Sequence, residues 1–113
     1  MTVKQISPLA RKECVPCRAG TKPLQGEGLQ LMMAELGGGW DMIDEKRLQK
    51  NCTFRDFQEA LVFANAVGRL AQQANHHPEI TIGWGLARIT LWTHKIGGLS
   101  EADFVLAAKI DAL

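Results

Sequence analysis

The residues of this chain best suited to chemistry are His76, His77 and His94. They are all the histidines it has, and they fall within 19 consecutive positions of a 113-residue sequence. Neutral imidazole and imidazolium interconvert near neutral pH, so such a cluster suits general acid and base work or metal binding. The metal reading is the weaker of the two. Adjacent His76 and His77 point apart unless a turn bends them together, and no cysteine or carboxylate stands nearby at a recognised ligand spacing, Glu79 and Asp103 being the candidates. Proton donors and acceptors are the better expectation. The plain structural alternative is that His76 caps a helix, His77 is solvated and His94 ends a strand.

Bringing the three together requires a helix end and a hairpin. A polar helix running up to Gln73 should stop near Asn75, which tolerates the left-handed conformation that closes helices, and Pro78 forbids continuation. Pro78 also pushes His77 towards extended backbone. Ile80-Thr-Ile-Gly-Trp84 alternates apolar residues, and Ala87-Arg-Ile-Thr-Leu-Trp-Thr-His94 is rich in β-branched and aromatic residues, so the pair reads as a hairpin. A tight loop centred on Gly85-Leu86 makes paired residue numbers sum to about 171 and places His77 opposite His94. The helix C-terminus also favours a protonated ring at His76, which suits it to act as an acid.

The composition sets the frame around this segment. The chain is 46% hydrophobic and 22% charged with a net charge of +1, as expected of one globular domain with a single active region. No basic stripe points to nucleic acid and no apolar run approaches a membrane span. The N-terminal residues lack the apolar core of a signal peptide, so a cytoplasmic location is expected. Three cysteines, an odd count, fit a reducing compartment.

Residues 1–23 read as an N-terminal arm of little regular structure that carries Cys14-Val15-Pro16-Cys17. Half a zinc site or a redox pair is the functional reading of this CxxC, but zinc wants four ligands and a thioredoxin-like pair opens a helix within a βαβ unit. Two cysteines in a surface arm are the simpler account. Cys52 is most simply a small buried or edge residue.

The domain proper then spans residues 24–113. Leu29, Leu31, Met32, Met33 and Leu36 suit a first helix over 24–36, closed by Gly37-Gly38-Gly39. Residues 40–44 and 48–54 read as two strands joined by a turn at Glu45-Lys46-Arg47. A second helix runs from about Phe57 to Gln73, with Phe57, Ala60, Leu61, Ala64, Val67, Gly68 and Ala71 at helical spacing and Thr53 or Asp56 as its cap. The third begins at Ser100-Glu101-Ala102-Asp103, a capping box, which by itself gives Asp103 a structural reason to exist. The order αββαββα predicts an α+β, two-layer domain: a four-stranded antiparallel sheet with three helices on one face. If Ile89 and Leu91 point inward, Arg88, Thr90, Trp92 and His94 lie on the other face. A sheet open on that face or at its edges is a route to self-association.

The pattern His76-His77-Pro78, five residues, Trp84, nine residues, His94, eight residues, Asp103 resembles the signature of the pterin-4a-carbinolamine dehydratase family. Thr53-Phe54-Arg55-Asp56-Phe57, Leu91-Trp92-Thr93-His94 and Gly98-Leu99-Ser100 resemble it too, over roughly residues 24–112, and the cysteine-bearing arm is similar to that of bacterial members. The resemblance implies the α+β fold and an activity. Members dehydrate 4a-hydroxytetrahydropterin to quinonoid dihydropterin, recycling tetrahydrobiopterin after aromatic amino acid hydroxylases have used it, with no metal or organic cofactor.

Carried over residue by residue, the resemblance makes His76, His77 and His94 catalytic. Asn75, His76, His77, Pro78, Thr93 and Trp84 become substrate-binding, with Gln72 and Asp103 in support. His76 and His94 are expected to transfer protons and His77 to bind and orient the ring. Gln72 departs from the family pattern, which usually has an acidic residue there. A carboxylate one turn before His76 would orient that ring or raise its pKa, whereas Gln72 offers a hydrogen bond without charge. A homodimer or homotetramer is expected. The runner-up function is a non-catalytic binding role of the dimerisation-cofactor kind found in mammalian members, and a folded but inactive regulator of a hydroxylase is a third.

Overall fold

The computed structural model describes residues 7–15 and 20–113. Three helices, α1 (Gly26–Leu36), α2 (Phe57–Ala74) and α3 (Glu101–Asp111), accompany four strands, β1 (Asp41–Ile43), β2 (Arg47–Thr53), β3 (Glu79–Gly83) and β4 (Leu86–Leu91). The strands form one antiparallel sheet in the order β1-β2-β4-β3, so the architecture is the expected α+β one. In β4, Ala87, Ile89 and Leu91 are buried while Arg88 is exposed, the alternation of a sheet with one face on the core and the other open. Arg88 reaches across that open face to Asn51 of β2 at 2.8 Å.

Helix α3 supplies the centre of the core. Ala102 through Ala108 and Ile110 are all buried, so this helix is enclosed on nearly every side rather than along one stripe. What encloses it includes part of the arm. Pro8–Arg11 forms a 3-10 turn capped by Ser7, and Leu9 within it is 1% exposed in the main core cluster. Burying that side chain contributes about 1.5–3 kcal/mol. Ser7 Oγ donates to Glu35 O, Lys109 Nζ donates to Ala10 O, and Lys12 pairs with Glu101 at 2.8 Å. The arm expected to have little regular structure is thus built into the fold along residues 7–14. The Cys14-to-Cys17 pair falls partly outside the described residues; Cys14 itself is half-buried and its thiol lies 3.5 Å from Ala102 O.

Both elements that flank the histidines follow local rules. Asp56, not Thr53, caps α2 by accepting from Glu59 N at 2.9 Å. At the other end Asn75 takes the left-handed conformation (φ 52°, ψ 40°), with Asn75 N donating to Gln72 O and His76 N to Ala71 O. That pair of bonds closes the helix and aims the chain at β3. Phe57, expected on the buried stripe of α2, is 47% exposed at the first residue of that helix, and Leu31 of α1 is 63% exposed.

The hairpin register differs from the expected one. Glu79 pairs with Thr90 and Gly83 with Leu86, so paired numbers sum to 169 and the loop is Trp84-Gly85. The shift of two leaves every side chain on its expected face but removes the His77–His94 opposition. A tertiary contact holds this loop: Phe54 N donates to Gly85 O, and a Cβ on Gly85 (φ 66°) would meet Phe54 O at 2.9 Å. The first hairpin turns at Asp44-Glu45-Lys46, with positive φ at Asp44 and Glu45, and Arg47 already lies in β2.

Candidate active site

His94 is not in a strand. β4 ends at Leu91, and residues 93–98 form a closed loop in which Thr93 N donates to Gly98 O at 2.8 Å and His94–Ile96 make a 3-10 turn. Gly98 is needed there because a Cβ would meet Pro23 Cβ at 2.8 Å, and Leu24 N ties the same crossing to Leu99 O. The loop stands beside the closed end of α2. Between them lies a cleft of about 300 Å³ lined by Asn75, His76, His77, Trp92, Thr93, His94 and Lys95.

Each histidine ring is held differently. His76 Nε2 lies 2.5 Å from Asp103 Oδ1, with the histidine side chain 11% exposed and the carboxylate fully buried. The other carboxylate oxygen, Oδ2, accepts from Thr93 Oγ1 at 2.8 Å and from Ser100 N at 3.0 Å, and Thr93 and Ser100 hydroxyls are 2.9 Å apart. The expected capping box is present, and its carboxylate does a second job. A buried anion is tolerable only when its oxygens are satisfied, and here every one is.

His77 Nε2 lies 3.0 Å from Gln72 Oε1, on the exposed side of the same helix end. Gln72 therefore supports His77, whereas the expected partner was His76. His94 stacks on Trp92 with ring centroids 4.2 Å apart and planes 5° from parallel, and the Arg47 guanidinium lies 4.6 Å from the Trp92 centroid. No described group hydrogen-bonds either ring nitrogen of His94, and Nδ1 is the unoccupied nitrogen of His76 and of His77. Among the described residues no three His, Cys, Asp or Glu side chains converge as a ligand set.

Other expected site residues fall outside the cleft. Trp84 is 77% exposed at the tip of the β3–β4 hairpin, a strand length of about 17 Å from the histidine end. Pro78 feeds β3 and does not line the cleft. Thr93 lines it, but its hydroxyl is spent on Asp103 and Ser100. Trp92 and Lys95 are cleft residues that sequence reasoning did not single out; their adjacency to His94 was the available signal.

An α+β domain of this architecture is a fold shared with other proteins. The model of the pterin 4 alpha carbinolamine dehydratase family matches residues 22–113, and the chain belongs to that family. A Rubrobacter xylanophilus protein provisionally named a pterin-4-alpha-carbinolamine dehydratase is 55% identical over 108 residues, covering 96% of this chain and all of the relative. A similarly named protein of Alkaliphilus metalliredigens is 45% identical over 103 residues, 91% of this chain and 93% of its own. Among solved structures, one described as a transcriptional coactivator/pterin dehydratase from Brucella melitensis superposes with a TM-score of 0.73 at 27% identity, covering 80% of this chain and 97% of that one. Another, a pterin dehydratase-like protein described as a RuBisCO assembly factor in the alpha-carboxysome, gives 0.56 at 25% identity, with 68% and 90% covered.

Proposed function

We propose that this chain dehydrates 4a-hydroxytetrahydropterin to quinonoid dihydropterin and water, with His76 and His94 as proton-transfer groups and His77 chiefly binding and orienting the ring. A base removes the N5 proton, the C4a–O bond breaks as N5=C4a forms, and an acid protonates the departing hydroxyl. The reaction balances with no oxidant and no cofactor, the pterin being the substrate. The observation that carries this reading is the convergence of His76, His77 and His94 on one cleft, each with a ring nitrogen uncommitted to the described protein.

Within that scheme Asp103 holds His76 as a buried carboxylate holds a catalytic imidazole, fixing which nitrogen faces the substrate. Stacking on Trp92 fixes the plane of His94 and leaves both its nitrogens for proton traffic. A well-placed acid or base is worth about 10²- to 10⁴-fold. Cytoplasmic tetrahydrobiopterin recycling behind an aromatic amino acid hydroxylase belongs to the same proposal. The test follows dehydration by absorbance in wild type, His76→Ala and His94→Ala. Turnover lost in both variants supports the reading, and unchanged turnover in both overturns it.

A second reading, binding through an oligomerisation surface, is favoured by one feature. β3 is a sheet edge whose Ile82 is 37% exposed and runs into exposed Trp84. Such an edge invites strand pairing between copies in a homodimer or homotetramer. Light scattering of Ile82→Lys against wild type tests it: a drop in mass is expected, and an unchanged mass removes β3 from the interface.

A further inference from the structure

We propose that the histidine cleft selects a pterin carrying a negatively charged side chain, and that Lys95 is the residue that confers this selectivity, supported by Arg47. The inference rests on the pterin reading above and adds to it the class of side chain. Its basis is the charge around the cleft.

Lys95 lines the cleft next to His94, is exposed, and takes part in none of the ion pairs among the described residues. Arg47 lies against Trp92, the indole on which His94 stacks, so a second cation flanks the same aromatic pair. Among the described residues no carboxylate lines the cleft. Asp103 is fully buried with Oδ1 on His76 and Oδ2 on Thr93 and Ser100. Asp44 and Glu45 lie with Lys46 in a separate depression behind Gly97 and Gly98, and Glu79 is exposed on β3 opposite Thr90. A substrate entering the cleft thus meets one cation in its lining, Lys95, with Arg47 beside the Trp92 ring, and no carboxylate among the lining residues. A cleft lined by one sign of charge concentrates ligands of the other.

The test is calorimetric titration with 6-carboxypterin and with biopterin, which share the ring and differ in side-chain charge. Both are measured at pH 8, where an ordinary imidazole is neutral, in about 0.05 M salt. Wild type should bind 6-carboxypterin about fivefold more tightly, the scale of one solvent-exposed ion pair. The preference should shrink as salt is raised, and Lys95→Gln should weaken 6-carboxypterin more than biopterin. Equal affinities, or a preference unaltered in Lys95→Gln, overturn the selectivity while leaving the pterin reading intact. Binding of neither compound overturns both.

Discussion

Asp103 Oδ1 meets His76 Nε2 at 2.5 Å, joining the first turn of α3 to the residue just past the Asn75 cap of α2. The same carboxylate caps α3, so one side chain serves helix stability and site geometry at once. Asp103→Ala should cost about 2–4 kcal/mol in urea unfolding, combining a lost cap with buried hydroxyls left unsatisfied. Asp103→Asn keeps an acceptor for the cap but loses the charge beside His76. It should cost less stability while lowering kcat by about 10²-fold. Equal kcat in Asp103→Asn and wild type would show that the contact is structural alone.

Thr93 was expected to touch substrate, but its hydroxyl faces inward to Asp103 and Ser100. Thr93→Val removes a buried donor to a carboxylate and should cost about 1–3 kcal/mol. It should also reduce turnover through the Asp103–His76 pair. Thr93→Ser restores the donor and should recover most of both losses, measured by denaturation and by dehydration rate. Recovery of stability without recovery of rate would place Thr93 outside the mechanism.

Gln72 accompanies His77, so its effect should run through that ring. Gln72→Ala is expected to raise KM with kcat changed by less than about threefold, the pattern of lost ground-state binding. The double variant Gln72→Ala/His77→Ala should be no worse than His77→Ala alone, because the two share one interaction. Additive losses in KM would detach Gln72 from His77.

Alkaline pH should weaken the fold, and the sign follows from two groups. Burial foremost pushes the Cys52 thiol above its ordinary 9.0, opposed by Lys50, while a hydrogen bond and charge from Glu101 hold Lys12 above 10.5. Both bind protons more tightly when folded, so stability is fully present below those ordinary values and falls as pH rises beyond them. Melting temperature should therefore be flat from pH 7 to about 8.5 and decline above about pH 9, less steeply in Cys52→Ala. Iodoacetamide, followed by peptide mass, should modify Cys52 more slowly than an exposed cysteine at pH 8.

The sequence by itself determined whatever depends on neighbouring residues. Asn75 before a His-His-Pro run closes α2 because Asn accepts the left-handed conformation and proline stops the helix. Ser100-x-x-Asp103 caps α3 because that spacing pairs each side chain with the other's backbone. The αββαββα order and the buried face of β4 follow from periodicity. Tertiary structure decided what depends on contacts between distant residues. Phe54 grips Gly85 at the hairpin loop, and the register found there takes His77 out of opposition to His94. Leu9 lies in an arm whose composition reads as irregular, yet the otherwise open side of α3 buries it. The cap at Asp103 needs one carboxylate oxygen, and only the packing of α2 against α3 could assign the other to a histidine 27 residues away. Local rules fix which groups a residue can satisfy; the packed fold decides which of them it meets.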